Sequence, residues 1–247
     1  MRVEFIGIAG TADQSETIAE TGPAVQPEYL YHLAATHEQS GFDRVLVAHS
    51  SSSPDGFIVA DQVLNATSRL GVLLAHRPGF VGPTIAARKF ATIDAFYPGR
   101  IALHVITGAD DGDQARDGDF TDKATRYRRT DEFLDVVELA WSSEQRFGYD
   151  GEFYRVADAW SALRPPGGHL PVYFGVPPPT PSGSAAGTPT STPSGASRWR
   201  ASGSASPRSA RPPRPRAAAS TGSRSACAPS PPTPKTPPGN GPARSSR

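Results

Sequence analysis

The chain has 247 residues, a formal net charge of +1 and 37% hydrophobic residues, but these averages merge two unlike segments. From Val176 onward there is no Asp or Glu against nine Arg and Lys235, a charge of +10, while residues 1–175 hold 15 basic and 24 acidic residues, a charge of −9. The single cysteine, Cys227, excludes a disulfide framework or cysteine metal site within the chain. No apolar stretch nears the ~18 residues that span a bilayer, and the N-terminus Met1-Arg2-Val3-Glu4-Phe5 has no basic stretch followed by an apolar run, so a soluble cytoplasmic protein without metal is expected.

In chain order, the first predicted strand is Val3–Ile8 and the first helix is Pro27–Ser40. Strand Arg44–Ala48 and helix Pro54–Thr67 follow, then strand Leu70–Ala75 and helix Pro83–Phe96, which stops at Tyr97-Pro98-Gly99. Strand Ile101–Ile106, helix Asp122–Trp141 and a fifth strand, Pro171–Gly175, complete the series. Each strand is a short, β-branched apolar run of the kind buried on both faces of a parallel sheet. Three of the helices begin with Pro, whose missing N–H is not needed in the first turn.

Regular β-α alternation implies a parallel sheet covered by helices, either doubly wound or a TIM barrel. No Gly-x-Gly-x-x-Gly motif follows the first strand and no Gly-x-x-x-x-Gly-Lys-Ser/Thr loop occurs, which favours the barrel. A complete barrel takes ~250 residues, so residues 1–175 are expected to form an α/β fold, a partial TIM (β/α)8 barrel with its first five strands. Residues 176–247 hold 17 of the 26 prolines and, beyond Val176 and Trp199, no large apolar side chain. Such a segment buries too little apolar surface to offset its conformational entropy and is expected to be disordered.

The stretches Leu70-Gly71-Val72-Leu73-Leu74-Ala75-His76-Arg77-Pro78-Gly79, Pro83-Thr84-Ile85-Ala86-Ala87-Arg88-Lys89 and Asp94 to Arg100 resemble the bacterial luciferase-like flavin monooxygenases. So do His104-Val105-Ile106-Thr107-Gly108, Arg126-Tyr127, Asp150-Gly151-Glu152-Phe153-Tyr154 and Pro171-Val172-Tyr173-Phe174-Gly175, in family order across residues 1–175. The branch most resembled is the alkanesulfonate monooxygenases. That resemblance implies a TIM barrel that uses O2 and reduced FMN, delivered by a separate NAD(P)H:FMN reductase. It also implies an organosulfur substrate converted to aldehyde and sulfite, and homo-oligomers. A sulfone monooxygenase or a relative using the deazaflavin F420 is the nearest alternative, since all share the barrel.

The resemblance implies site residues at the C-terminal ends of the strands, where barrel active sites form. Asp55 matches a family position near the flavin, or is an acid favoured in the first turn of its helix. Ala75 and His76 match a strand end where the family often has a non-proline cis peptide against the flavin ring. His104 stands where the family commonly has Asn; a polar group inside an apolar strand needs a hydrogen-bond partner, which favours function. Thr107 is implied as a donor to the same ring, or simply ends its strand. Tyr127 matches a flavin-contacting tyrosine, against an aromatic packed on the barrel. Ser53 aligns with a family Cys, or is a loop and helix-cap residue within Ser50-Ser51-Ser52-Ser53.

Lys123 stands where the family often shows His, and Thr11-Ala12-Asp13 replaces its His-bearing first loop. After Gly175 the family continues with Gly and Ser residues that hold the flavin phosphate; here Val176-Pro177-Pro178-Pro179 follows, and proline offers no N–H. Back-translating Ala186–Arg198 with GC-rich codons in a shifted frame permits a string like the family's next strand and Trp-Gly-Glu-Pro loop. The segment is therefore expected to be out of frame and the chain inactive. A reading from another class is a binding protein whose basic tail contacts nucleic acid or an acidic partner; the tail lacks the interleaved aromatics that stack bases, which disfavours it.

Overall fold

The computed structural model describes residues 3–13, 17 and 22–174. The expectations of a boundary at Gly175–Val176 and of a disordered segment over 176–247, with Cys227 in it, lie outside the described residues.

The elements run β1 (Ile6–Ile8), α1 (Pro27–Gln39), β2 (Arg44–Val47), α2 (Gly56–Ala66), β3 (Gly71–His76), α3 (Pro83–Phe96), β4 (Ile101–Val105), α4 (Asp111–Arg116) and α5 (Lys123–Ser142). A hairpin, β5 (Phe147–Asp150) with β6 (Arg155–Ala159), and a short 3-10 turn, Pro166–Gly168, lead to β7 (Val172–Phe174). Every strand and helix expected from the sequence is present within a few residues. The differences have local causes. At β1, the Phe5 N–H is taken by Asp43 Oδ2 at 3.0 Å, while the Phe5 carbonyl accepts from the Asp43 N–H at 2.9 Å, so the regular ladder begins only at Ile6. At α2, Asp55 is the N-cap and accepts from Phe57 and Ile58 N–H at 3.0 Å each, which leaves Pro54 ahead of the helix rather than in its first turn. Helix α4 has six residues, too few for a periodic signal, and the hairpin is an antiparallel pair separate from the main sheet.

The main sheet is five-stranded and parallel, ordered β1-β2-β3-β4-β7. Sequential order with right-handed βα units belongs to a barrel; a doubly wound sheet reverses its order at a switch point. The fold is thus α/β, the first five parallel strands of a TIM barrel. Registered partners share a face, so Val45, Val72 and Ile101 form one row and Val47, Leu74 and Leu103 the next. These residues are buried with Val63 and Leu64 of α2, Phe90 of α3, and Phe133, Leu134 and Trp141 of α5, forming the core between sheet and helices. The indole N–H of Trp141 donates to the Ala87 carbonyl at 3.0 Å, tying α5 to α3.

The other face carries Leu46, Leu73 and Ala102 in one row and Ala75, His104 and Tyr173 in the next. It is the concave face. A flat sheet would separate β1 from β7 by four strand spacings, roughly 19 Å. Yet the Tyr173 hydroxyl lies 2.7 Å from Glu4 Oε2, two residues before β1, so the sheet curls as a barrel wall does. The peptide joining Ala75 to His76 is trans, as are all described peptides, in place of the cis bond implied by the resemblance.

Candidate active site

The C-terminal ends of β2, β3 and β4 open into three loops. The first, Ala48–Asp55, is braced internally: the Ser53 hydroxyl accepts from the Ser50 N–H at 3.0 Å and lies 2.8 Å from the Ser50 hydroxyl. Ser53 and Asp55 are exposed, and the observed contacts of both are those of a turn and a cap.

On the concave face Ala75 and His104 are direct neighbours in register, with Tyr173 on the far side of His104. Ala75 is buried and His104 half-buried. The Nδ1 of His104 is buried and has no hydrogen-bond partner among the described residues. Burial pushes the His104 pKa down, opposed by a backbone group of Tyr173, so the ring is poised as a neutral donor or acceptor. His76 faces the opposite way. Its ring lies among Phe57, Phe90 and Phe133 at centroid distances of 5.6, 6.0 and 5.4 Å, within the helix layer. Desolvation first, then the charges of His49 and Lys89, lower its pKa to about 4.

The loop after β4 is fixed by arginines that the sequence reading passed over. Arg126 is 1% exposed. Its Nε donates to the Thr107 carbonyl at 3.1 Å and its Nη2 to Asp111 at 2.7 Å. Thr107 is therefore held through its carbonyl, and the adjoining Tyr127 packs its ring 6.2 Å from that of Phe174 at the end of β7. Arg77, also buried, donates from Nη1 to Asp113 at 2.8 Å and from Nη2 to Asp117, both on or next to α4, with Phe80 4.6 Å beneath it. Asp113 additionally accepts from the Ser51 N–H and hydroxyl, at 2.9 and 2.7 Å. Those bonds, chiefly the Ser51 hydroxyl's, hold its pKa below the usual carboxylate range. Asp119 is opposed by burial, but hydrogen bonds from Arg129 and Thr121 bring it to about 2. Helix α4 thus straps the mouth of the sheet across the loops after β2, β3 and β4. The signal for it was the acidic run Asp110-Asp111-Gly112-Asp113 with Asp117 and Asp119, set after a strand and opposite Arg77, Arg126 and Arg129.

The structure brings Ala75, His104 and Thr107 to one strand-end region with Tyr127 beside β7. It places the His76 ring on the core side, and Ser53 and Asp55 in the loop after β2. No group of three or more His, Cys, Asp or Glu side chains that could hold a metal occurs among the described residues, and none of the described helices is long and apolar enough to cross a membrane.

Solved structures share this fold. EDTA monooxygenase from Chelativorans sp. BNC1 superposes with a TM-score of 0.62 at 18% identity, over 70% of this chain and 49% of its own. DmoA from Hyphomicrobium sulfonivorans gives 0.59 at 16% identity, over 72% and 49%. An F420-dependent secondary alcohol dehydrogenase, bound to an F420–acetone adduct, gives 0.60 at 22%, over 70% and 52%. The chain spans about half the length of these structures. The sequence model of one family, the luciferase-like monooxygenases, matches residues 5–181, which takes in all five parallel strands and the loops at their C-terminal ends. On that match the chain belongs to the luciferase-like monooxygenase family.

Proposed function

We propose that this chain carries the ring-binding side of an FMN-dependent monooxygenase of the alkanesulfonate type. In the full-length form, such an enzyme takes reduced FMN from a cytoplasmic NAD(P)H:FMN reductase and, with O2, converts an organosulfonate to aldehyde and sulfite. The observation that carries the reading is the orphaned His104 Nδ1 on the concave face, beside Ala75, whose small side chain leaves a flat wall. A planar ring with polar edges fits that pair. The imidazole of His104 on that wall is kept toward its neutral form by burial, and the phenol of Tyr173 beside it is pushed further toward its neutral form, chiefly by desolvation. When bound, flavin supplies the redox chemistry. The chain's residues orient it: Ala75 by close approach, His104 and Thr107 at its polar edge, Tyr127 against its flank. Ser53 and Asp55 stand in the exposed loop after β2, and the His76 ring sits behind the wall in the helix layer, so we give none of the three a part in the reaction.

The phosphate side is not written in this sequence, where Val176-Pro177-Pro178-Pro179 follows β7 in place of N–H-rich residues. We assign residues 176–247 to a shifted reading frame and this chain to an inactive form. The direct test is twofold. Sequencing the gene should reveal a one- or two-base change near codon 176, with barrel strands in the alternate frame. The chain, supplied with a reductase, FMN, O2 and an alkanesulfonate, should release no sulfite, and the frame-restored protein should release it.

A second reading is favoured by the likeness to the F420-dependent alcohol dehydrogenase: a deazaflavin in the same ring site. Titrating the frame-restored protein with FMN and F420 in parallel separates the two, and tighter F420 binding would replace the sulfonate assignment.

A further inference from the structure

Among the described residues both outer strands of the sheet keep one side unpaired: β1 is bonded to β2 alone and β7 to β4 alone. In a parallel ladder the N–H and C=O of one residue point to the same side, and the next residue points its pair to the other. The Phe5 carbonyl and the Ala9 N–H reach partners on the β2 side, so Ile6 and Ile8 offer their backbone groups outward. The Pro171 carbonyl accepts from the Leu103 N–H on β4, so Val172 and Phe174 offer theirs outward, and the missing N–H of Pro171 does not touch that edge. Ile6 and Ile8 also turn their side chains to the concave face, where they are 40% and 65% exposed. Parallel sheets are covered on both faces, and an apolar open edge is a template for another strand. Residues 176–247, with 17 prolines and no large apolar side chain beyond Val176 and Trp199, offer no apolar run to extend the ladder.

We propose that the partner at these edges is a second copy of this chain, and that two copies close one ten-stranded parallel barrel. A half-turn about the barrel axis lays β7 of each copy beside β1 of the other, with both strands running the same way. The two new ladders are identical, each copy uses both of its edges, and none is left to recruit a third copy. Ile6 and Ile8 pass into the shared interior while the helices stay outside. Ten strands make a wider ring than eight, so the curl of each copy opens slightly. The contact that must yield is the Tyr173–Glu4 hydrogen bond, which is exposed and therefore weak. Charge does not oppose the union, since each chain carries a net +1. The pairing follows from the sheet alone, whichever cofactor the barrel takes.

Sedimentation equilibrium of the whole chain over a concentration series tests this. The expected result is a closed dimer, twice the 26.1 kDa chain mass, with no larger species. Ile8→Pro and Val172→Pro each delete one outward N–H and leave the inner ladders intact. Every interface takes one β1 and one β7, so each variant spoils both interfaces of its dimer. Each therefore raises the dissociation constant about a hundredfold, about tenfold for the bond lost in each interface. Where either variant fails to fold, shown by loss of a cooperative urea transition, Ile8→Lys or Phe174→Pro takes its place. A monomer at every concentration, or open-ended oligomers, overturns the proposal. So does a dimer weakened by the β1 variants alone, which is β1 paired with its own copy. A dimer that neither edge variant changes forms through another surface and overturns it as well.

Discussion

The Tyr173 hydroxyl on β7 sits 2.7 Å from Glu4 Oε2 ahead of β1, joining the two edge strands of a five-stranded sheet across its concave face. Arg44 of β2 adds a longer ion pair to the same carboxylate, at 3.9 Å. Tyr173 also belongs to the row that contains Ala75 and His104. The bond that curls the wall therefore also sets the row on which the proposed ring site is built.

Replacing Tyr173 by Phe removes the hydroxyl and keeps the ring. This hydrogen bond is solvent-accessible, so the expected loss is at most about 1 kcal/mol. Urea unfolding of the variant should show a lower midpoint with an unchanged slope. An unchanged midpoint would mean that the backbone ladder alone sustains the curl.

Stability should fall with acid in a window set by His76. Its folded pKa of about 4 lies below the ordinary value of 6.5, so between those values the unfolded chain binds the extra proton and the folded chain does not. The contribution is fully present above pH 6.5 and is lost as pH falls toward 4, at most about 3 kcal/mol. His49 and His104 are shifted in the same direction and add to the slope. The urea midpoint of His76→Phe should therefore depend less steeply on pH between 7 and 5 than that of the wild type, and equal slopes would remove His76 from the account.

Arg126 should tolerate no substitute. Lysine keeps the charge but cannot reach the Thr107 carbonyl, the Thr121 carbonyl and Asp111 at once. Arg126→Lys is expected to cost about 1–3 kcal/mol, the penalty for leaving the buried Thr107 and Thr121 carbonyls without their donors, since the largely exposed Asp111 carboxylate adds little. Hydrogen exchange should rise across residues 107–121 before it rises in α3. Uniform acceleration would indicate global unfolding in place of a released strap.

The strands and long helices were legible because their signals are local and repeated: Val72, Leu74, Ile101 and Leu103 are apolar on a face that must be covered, and Pro27 and Pro83 mark helix starts. The site was legible only in part. His104 stood out as a polar residue in an apolar strand; it lies on the concave face, where its Nδ1 has no hydrogen-bond partner among the described residues. His76, one residue past Ala75, looked equivalent in sequence; strand alternation turns it to the core side. The strap was missed because its stability comes from pairings 36 and 40 residues apart, Arg77 with Asp113 and Asp117, which no period or motif announces.

The most direct test of the central claim, a flavin site whose ring side is present and whose phosphate side is not, is a parallel titration of the chain with riboflavin and FMN. The account predicts saturable quenching by both at the same affinity, because the phosphate finds no N–H-rich loop after β7. FMN binding far tighter than riboflavin, or no saturable binding of either, would contradict it.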